Sequence, residues 1–268
     1  MTARSVGVIG LGLMGSALCR ALRAHDATIR LVGVELDSGV RERAVSTNAV
    51  DEVSAVPSSA LAACELVILC APIAAIEALL APVSAHMAPG AVLSDVGGVK
   101  GPIVAAARDA VRAGVAFVGA HPMFGGEAGG FDAGRADLWR GGKVAVCTDG
   151  ATPEAFERVA SLHRALGAEI VACTADEHDT AVAYVSHLPY VVSTAIACTA
   201  ARGGALCAAL AGRGFDDVTR LSRFVYDVQG EVARRNPHLR EAMAVFDGEL
   251  RALEGALGMN RRAPRERR

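Results

Sequence analysis

Two hydrophobic patterns divide the chain near residue 173. Before it, short apolar runs rich in β-branched residues alternate with longer segments whose apolar residues recur at helical spacing. The short runs predict strands at residues 6–9, 29–35, 66–70, 91–94, 115–118, 143–147 and 169–172. The longer segments predict helices at residues 14–24, 40–45, 73–84, 101–113 and 153–166. Strands alternating with helices are typical of a doubly wound, mainly parallel sheet.

After Cys173 the β-rich runs stop, and Ala/Leu/Arg segments with helical spacing continue to about Leu257. We therefore predict an α/β fold with a Rossmann-like, doubly wound, mainly parallel sheet, followed by an all-helical C-terminal domain. The expected divisions are 1–173 for the α/β domain, 174–260 for the helical domain and 261–268 for a disordered basic tail.

Composition narrows the class of protein. The 268 residues are 52% hydrophobic with a net charge of −2, which is typical of a folded globular chain and argues against nucleic-acid binding. Seven scattered cysteines without a C-x-x-C pair indicate reduced thiols and no metal site. The N-terminal residues contain no basic-then-apolar leader, so we expect a cytoplasmic location.

One apolar segment needs a membrane test. Residues 180–201 contain no formally charged side chain and are long enough to span a bilayer. The segment also contains His187, Pro189 and several hydroxyl side chains, which are costly in lipid. We expect no membrane span but a helix buried in an obligate homodimer, since a small helical domain cannot easily cover such a segment alone.

A glycine motif follows the first strand directly and begins the first helix. Its glycines are Gly10, Gly12 and Gly15, and Glu35 ends the second strand 20 residues after the third glycine. This is the arrangement that places a dinucleotide pyrophosphate at a helix N-terminus. Glu35 would accept hydrogen bonds from ribose hydroxyls and repel a 2′-phosphate, which favours NAD over NADP, although Arg41 and Arg43 lie nearby.

Other candidate residues follow the remaining strands, where an open α/β sheet binds its ligands. Ala71-Pro72, the segment from Asp95 to Lys100 and the segment from His121 to Glu127 all hold such positions. His121, in a loop with a proline and two glycines, is a candidate general base. Lys100 is one of only two lysines in the chain. The residues expected to contact the cofactor are Gly10, Leu11, Gly12, Leu13, Met14, Gly15, Glu35, Ala71, Pro72 and Asp95.

Several motifs together resemble the prephenate/arogenate dehydrogenases of tyrosine biosynthesis. Besides the glycine motif they are Asp95-Val-Gly-Gly-Val-Lys100, Gly119-Ala-His-Pro-Met-Phe-Gly-Gly-Glu127, Ser186-His-Leu-Pro-Tyr190 and Gly214-Phe-Asp-Asp-Val-Thr-Arg220. The resemblance spans nearly the whole chain and implies a nucleotide-binding domain followed by a helical dimerisation domain. It implies His121 as the catalytic residue, with the substrate bound by Arg220, His187, Glu127 and the backbone at Gly98.

Two residues depart from the family pattern. Gly98 stands where a serine is common, so one hydroxyl contact is missing, and Tyr226 lies near the usual place of a tryptophan. Two assignments also have structural alternatives. Arg220 could form a surface ion pair with Asp216 or Asp217, and His187 could be a buried, hydrogen-bonded helix residue.

The resemblance implies NAD-dependent oxidative decarboxylation of prephenate to 4-hydroxyphenylpyruvate. Arogenate is the alternative substrate. It is less favoured, because its ammonium group would need an unpaired carboxylate in the site. A β-hydroxyacid dehydrogenase is less favoured, since those enzymes use a lysine after the nucleotide domain and the last lysine here is Lys143. A non-catalytic NAD-binding sensor is a further alternative, because a fold alone does not prove function.

Overall fold

A six-stranded parallel sheet forms the centre of the N-terminal part of the chain. The computed structural model describes residues 3–126, 128–224 and 226–259, and the side chains of residues 226–228 are not included. The spatial order of the strands is β3-β2-β1-β4-β5-β6. Their bounds are β1 Ser5–Ile9, β2 Arg30–Val34, β3 Glu52–Ser54, β4 Leu66–Leu69, β5 Val92–Asp95 and β6 Ala116–Val118.

Helices cover both faces of this sheet. The bounds are α1 Leu13–His25, α2 Ser38–Ser46, α3 Ile73–Ala85, α4 Gly101–Ala110 and α5 Pro153–Ala165. Residues of β4 alternate between two cores: Ile68 packs with α1 and α5, whereas Leu69 packs with α3 and α4. Burial on both faces explains why β4 is an unbroken apolar run. The predicted doubly wound fold is confirmed.

The last three strands form a separate small sheet, which the sequence pattern did not predict. Strand β7 (Ala120–Pro122) pairs antiparallel with β8 (Lys143–Cys147), and β8 pairs parallel with β9 (Glu169–Cys173). His121 therefore lies on a short strand, and the predicted loop position is wrong. A three-residue strand is too short for an alternating pattern to reveal it.

The chain after Cys173 is helical throughout the part that the structure describes. The bounds are α6 Ala175–Val182, α7 Leu188–Ala201, α8 Gly204–Ala209, α9 Arg213–Thr219, α10 Tyr226–Arg235 and α11 Leu239–Ala256. Helix α6 begins with a capping box in which the Thr174 hydroxyl accepts the Glu177 N–H and the Glu177 carboxylate accepts the Thr174 N–H. A π-helical turn, Ala183–His187, joins α6 to α7. The predicted basic tail lies outside the described residues.

The continuous helical segment Ala175–Ala201 is long and apolar enough to cross a membrane by length and composition, a test that core helices of soluble proteins also pass. Within one chain only 28% of its apolar window is buried. Large apolar side chains are also exposed on nearby helices, including Leu206, Leu210 and Leu253. A single copy of the chain thus leaves a substantial apolar surface open.

Candidate active site

The glycine-rich turn has the geometry of a phosphate-binding loop. Gly10 has φ of +89°, which favours glycine. A Cβ on Gly15 would lie 1.9 Å from the Gly10 carbonyl oxygen, so no side chain fits there. A Cβ on Gly12 would meet no atom within 4 Å, so the backbone at Gly12 is open to a ligand at the N-terminus of α1.

Glu35 lies beside this turn, directly after β2. Its carboxylate accepts hydrogen bonds from the N–H groups of Leu11 (2.8 Å) and Asp37 (3.0 Å). The Arg41 guanidinium donates to the carbonyl oxygens of Glu35 and Leu36 instead of the carboxylate. The turn therefore presents an acidic acceptor where a ribose would lie. The residues present thus fit a dinucleotide without a 2′-phosphate, such as NAD.

A cavity of about 450 Å³ opens beside the glycine turn and extends to the helical domain. It lies where the strand order reverses between β1 and β4, the usual binding crevice of such sheets. Residues from several separated segments line it, including Leu13, Pro72, Gly98, His121, His187 and Val232. The cavity thus brings residues that follow β1, β4 and β5 together with β7, α10 and the turn before α7.

His121 reaches the cavity from β7. Its Nδ1 lies 2.9 Å from Nε2 of His178, behind the cavity wall. Its other ring nitrogen, Nε2, is 3.7 Å from the position that a Cβ on Gly98 would take, on the cavity side. Burial lowers the pKa of His121 well below its usual value, and the titratable neighbours His178, Lys100 and His187 lower it further. A neutral imidazole is the form that can accept a proton.

His187 lies in the wall of the same cavity. The Asn236 side-chain oxygen accepts the His238 N–H, so the Asn236 nitrogen must be the donor to His187 Nδ1 at 2.9 Å. The proton of His187 is therefore on Nε2, which is a buried atom. Burial lowers the pKa of His187 to about 4, although a contact with the Gly98 backbone acts to raise it. His187 is a buried helix residue, as the structural alternative states, and its ring lies in the cavity wall.

The space of the missing serine side chain at Gly98 is taken by an apolar group. A Cβ on Gly98 would lie 3.2 Å from Cγ2 of Val232, which α10 brings into the cavity wall. Val232 is 7% exposed. A larger side chain at residue 98 would thus have to displace Val232, and no hydroxyl replaces the family's serine at this point.

The Asp95 carboxylate is occupied by contacts within the protein, and Asp95 is not among the described residues that line the cavity, so its contact with the cofactor stays a prediction. The side chain is fully buried and forms a salt bridge with Lys100, whose Nζ also donates to the Ala120 carbonyl oxygen at 2.7 Å. The Gly97 N–H occupies the Asp95 carboxylate as well, at 2.7 Å. This buried pair joins the end of β5 to β7. It gives Lys100, one of the two lysines in the chain, a structural role. Ala71 and Pro72 do line the cavity, as expected.

Arg220 is not among the residues that line the cavity in a single chain. It lies exposed at the end of α9, and no described residue forms a hydrogen bond or ion pair with it. The alternative ion pair with Asp216 is not formed, because Arg223 holds that carboxylate at 2.7 Å. Glu127 and the side chain of Tyr226 lie outside the described residues.

Residues that sequence reasoning missed lie behind and beside the catalytic candidate. His178, Asp179, Asn236 and Val232 are all buried. The capping box at the start of α6 was a readable signal that His178 and Asp179 lie in the first turns of a helix next to β9. The contact of His178 with His121 bridges 57 residues of sequence, so spacing alone could not show it.

Fold and site together define a Rossmann-type nucleotide-binding protein. A cavity lined by titratable side chains lies between its α/β and helical domains. Two family models match in series: prephenate dehydrogenase, nucleotide-binding domain, over residues 18–172, and prephenate dehydrogenase, dimerization domain, over residues 174–263. The chain belongs to the prephenate dehydrogenase family, as the motifs predicted.

Individual relatives agree with this assignment. The chain is 30% identical to the cyclohexadienyl dehydrogenase of Zymomonas mobilis over 191 residues, which are 71% of this chain and 65% of the relative. The Synechocystis arogenate dehydrogenase structure is 30% identical with a TM-score of 0.80, covering 95% of this chain and 92% of that one. The prephenate dehydrogenase of A. aeolicus, solved with hydroxyphenyl propionate and NAD+, has the same fold at 23% identity and a TM-score of 0.87, with 96% and 91% covered. The chain spans 59–66% of the length of the curated relatives that it matches.

Proposed function

We propose that this chain is an NAD-dependent dehydrogenase that converts prephenate to 4-hydroxyphenylpyruvate by oxidative decarboxylation. The observation that carries the proposal is the position of His121, whose Nε2 faces a cavity that begins at the glycine-rich turn. A base and a dinucleotide turn at one cavity are what hydride removal from a carbon bearing a hydroxyl group requires. Family membership supplies the substrate class.

Each residue at the cavity has its own part in the proposed reaction. When bound, NAD accepts a hydride from C4 of the substrate ring. His121 Nε2 takes the C4 hydroxyl proton as the C4–O double bond forms, and returns it to the same oxygen after the ring carboxylate leaves as CO2 and the ring becomes aromatic. His187, whose ring lies in the cavity wall, contacts the substrate beside His121. Val232 and Phe224 provide apolar walls that limit water near the reacting carbon.

The carboxylates near the cavity favour the keto acid over the amino acid. Glu231 lines the cavity, but its carboxylate accepts the Ala74 N–H at 2.9 Å and lies 3.3 Å from Nε of Arg235. Asp216, on α9, does not line the cavity in a single chain and is held by Arg223. An arogenate ammonium would therefore have to displace an existing contact at either of these residues. Arogenate is nevertheless the second candidate, because the Synechocystis relative carries that name.

Kinetics with NAD and three substrates test this proposal. We expect NADH formation with prephenate, at least a tenfold lower kcat/KM with arogenate and no reaction with 3-hydroxyisobutyrate. A β-hydroxyacid dehydrogenase would show the opposite order. Lys100 cannot supply the lysine of that class, since its ammonium group is buried against Asp95 and Ala120. No turnover with any substrate, together with tight NAD binding, would favour the sensor alternative. An NADP kcat/KM equal to that for NAD would contradict the role given to Glu35.

We propose further that the protein works as a cytoplasmic homodimer. The exposed apolar residues of the helical domain, together with the match to a dimerization domain, support this assembly. A dimer would cover the face around Ala175–Ala201 and would put Arg220 close to a subunit boundary. Light scattering should give twice the chain mass at micromolar concentration. A stable, active monomer would contradict the proposal.

A further inference from the structure

A hydrogen-bonded chain of three side chains extends from His121 away from the cavity. His121 Nδ1 lies 2.9 Å from His178 Nε2, and His178 Nδ1 lies 2.8 Å from Asp179 Oδ1. His178 is 3% exposed and Asp179 is 1% exposed. Neither residue lines the cavity, so neither can touch a substrate there.

The far end of this chain determines where a single hydrogen on His178 lies. Ionised Asp179 can only accept, so His178 Nδ1 must carry a hydrogen. A His178 ring that carries this one hydrogen has a bare Nε2, which can only accept from His121. His121 must therefore carry its hydrogen on Nδ1, and its Nε2 faces the cavity with a free lone pair. This is the tautomer that a general base at Nε2 needs.

Asp179 is held firmly in the ionised form. Burial acts to raise its pKa, but hydrogen bonds from His178 and from the N–H groups of Lys100 and Gly101 lower it below its usual value. The two backbone bonds are 2.7 and 2.8 Å long and come from the start of α4. The Asp179 carbonyl oxygen also accepts from the Asn236 amide that sets the His187 tautomer.

We infer that His178 and Asp179 are positioning residues that hold His121 in its Nδ1–H tautomer and so keep Nε2 ready to accept the substrate proton. The catalytic consequence of this inference depends on the proposed function, but the tautomer itself does not. His178 and Asp179 act on His121 through the hydrogen bond at its Nδ1. The aspartate of a serine hydrolase triad acts on its histidine in the same way.

The charged and titratable groups that face His121 are consistent with a neutral resting ring. They are His178 from α6, His187 from the turn before α7 and Lys100 before α4, which is paired with Asp95. A proton held on His121 at rest would lie near a buried ammonium group. The His178 contact is therefore the one that sets which nitrogen carries the single hydrogen.

Two substitutions at His178 separate orientation from packing. His178→Gln retains an oxygen that can accept the His121 Nδ1–H, whereas His178→Leu fills similar space without an acceptor. His86→Gln, at an exposed histidine, is the matched control. Nitrogen-15 NMR of histidine-labelled protein near neutral pH reports which ring nitrogen is protonated, and the His121 signal is the one lost in His121→Asn.

We expect wild type and His178→Gln to show a protonated Nδ1 and a bare Nε2 at His121, with kcat reduced less than tenfold by the glutamine. His178→Leu should move the hydrogen largely to Nε2 and reduce kcat by roughly 100-fold or more, with KM changed less than threefold. A purely structural role would lower the folded fraction and leave the tautomer unchanged.

A wild-type spectrum with hydrogen on His121 Nε2 would overturn the inference without any variant, and so would a His178→Leu spectrum like that of wild type. Failure of the proposed function appears differently. In that case no substrate turns over, or His121→Asn remains active, while the wild-type spectrum still shows the Nδ1–H tautomer.

Discussion

Three histidines meet near the cavity, and their hydrogen-bond partners give each ring a different task. His121 lines the cavity, His187 accepts a hydrogen bond from Asn236 and His178 connects His121 to the Asp179 carboxylate. At the residue scale, function therefore depends on protonation states set by buried neighbours. Sequence motifs identified two of the three rings but not their tautomers.

Removing the imidazole of His121 should abolish the chemical step while preserving the fold. We expect His121→Asn to lower kcat by about 10²-fold or more, because a positioned base contributes typically 10²- to 10⁴-fold. NAD affinity, measured by fluorescence quenching or calorimetry, should change little, since the glycine turn is untouched. A variant within fivefold of wild-type kcat would place the base elsewhere. Exposed His86→Asn is the control.

Arg220 remains the predicted binding residue for a substrate carboxylate. We expect Arg220→Ala to raise KM for prephenate by roughly 30-fold or more, since an unpaired buried charge costs about 2–4 kcal/mol. Arg223→Ala is the matched control, because Arg223 is on the same turn but is paired with exposed Asp216. Steady-state kinetics should show little change for Arg223→Ala. Equal KM values for the two variants would contradict a carboxylate role for Arg220.

At the scale of elements, the turn between β1 and α1 combines the tightest packing with the open backbone of the nucleotide site. A matched pair of glycine substitutions tests this. Gly15→Ala should lower the free energy of unfolding by about 1–3 kcal/mol and weaken NAD binding, because its Cβ would meet the Gly10 carbonyl oxygen. Gly248→Ala, in exposed α11 with no atom within 4 Å, should raise it by about 0.5–1 kcal/mol.

Urea unfolding and NAD titration measure both effects. If Gly15→Ala and Gly248→Ala lowered the free energy of unfolding by the same amount, the loss of glycine itself would be the cause. The crowding at Gly15 would then have no separate effect.

How far sequence reasoning reached depended on the length of each element. Strands β1, β4 and β5 and helices α1 and α3 were readable because their apolar runs are long and their ends are marked by glycine, proline or polar residues. Strand β6 also has three residues but was predicted, because Val115 extends its apolar run to four residues. Strands β3 and β7 have three residues each and no such run. The motifs located His121, His187 and Gly98, whereas the contacts of Asp179 with α4 and of Val232 with Gly98 arise only from tertiary packing.

At the scale of the whole molecule, buried neutral histidines make stability depend on pH. His163 is fully buried, its Nδ1 accepts the Trp139 indole N–H at 2.8 Å, and burial lowers its pKa to about 4. Because the folded pKa lies below the unfolded value of about 6.5, its contribution is complete above that pH and is lost as pH falls toward 4. Through His163 alone, the free energy of unfolding should fall by about 2 kcal/mol between pH 8 and pH 5.

Urea unfolding at pH 8 and pH 5 measures this loss. His163→Asn keeps an acceptor for the Trp139 N–H but does not titrate, so the variant should lose less stability than wild type over this interval. His86→Asn should behave like wild type. A wild-type free energy of unfolding that is the same at both values would show that the histidines are not held neutral.

The central claim is that one cavity brings a dinucleotide turn and a proton-accepting His121 to the same substrate. The most direct test measures NADH and CO2 together during the oxidation of prephenate by wild type and His121→Asn. We predict one NADH and one CO2 for each prephenate consumed by wild type, and a rate at least about 10²-fold lower for the variant with NAD affinity unchanged. NADH without CO2, or a fully active His121→Asn enzyme, would contradict the account.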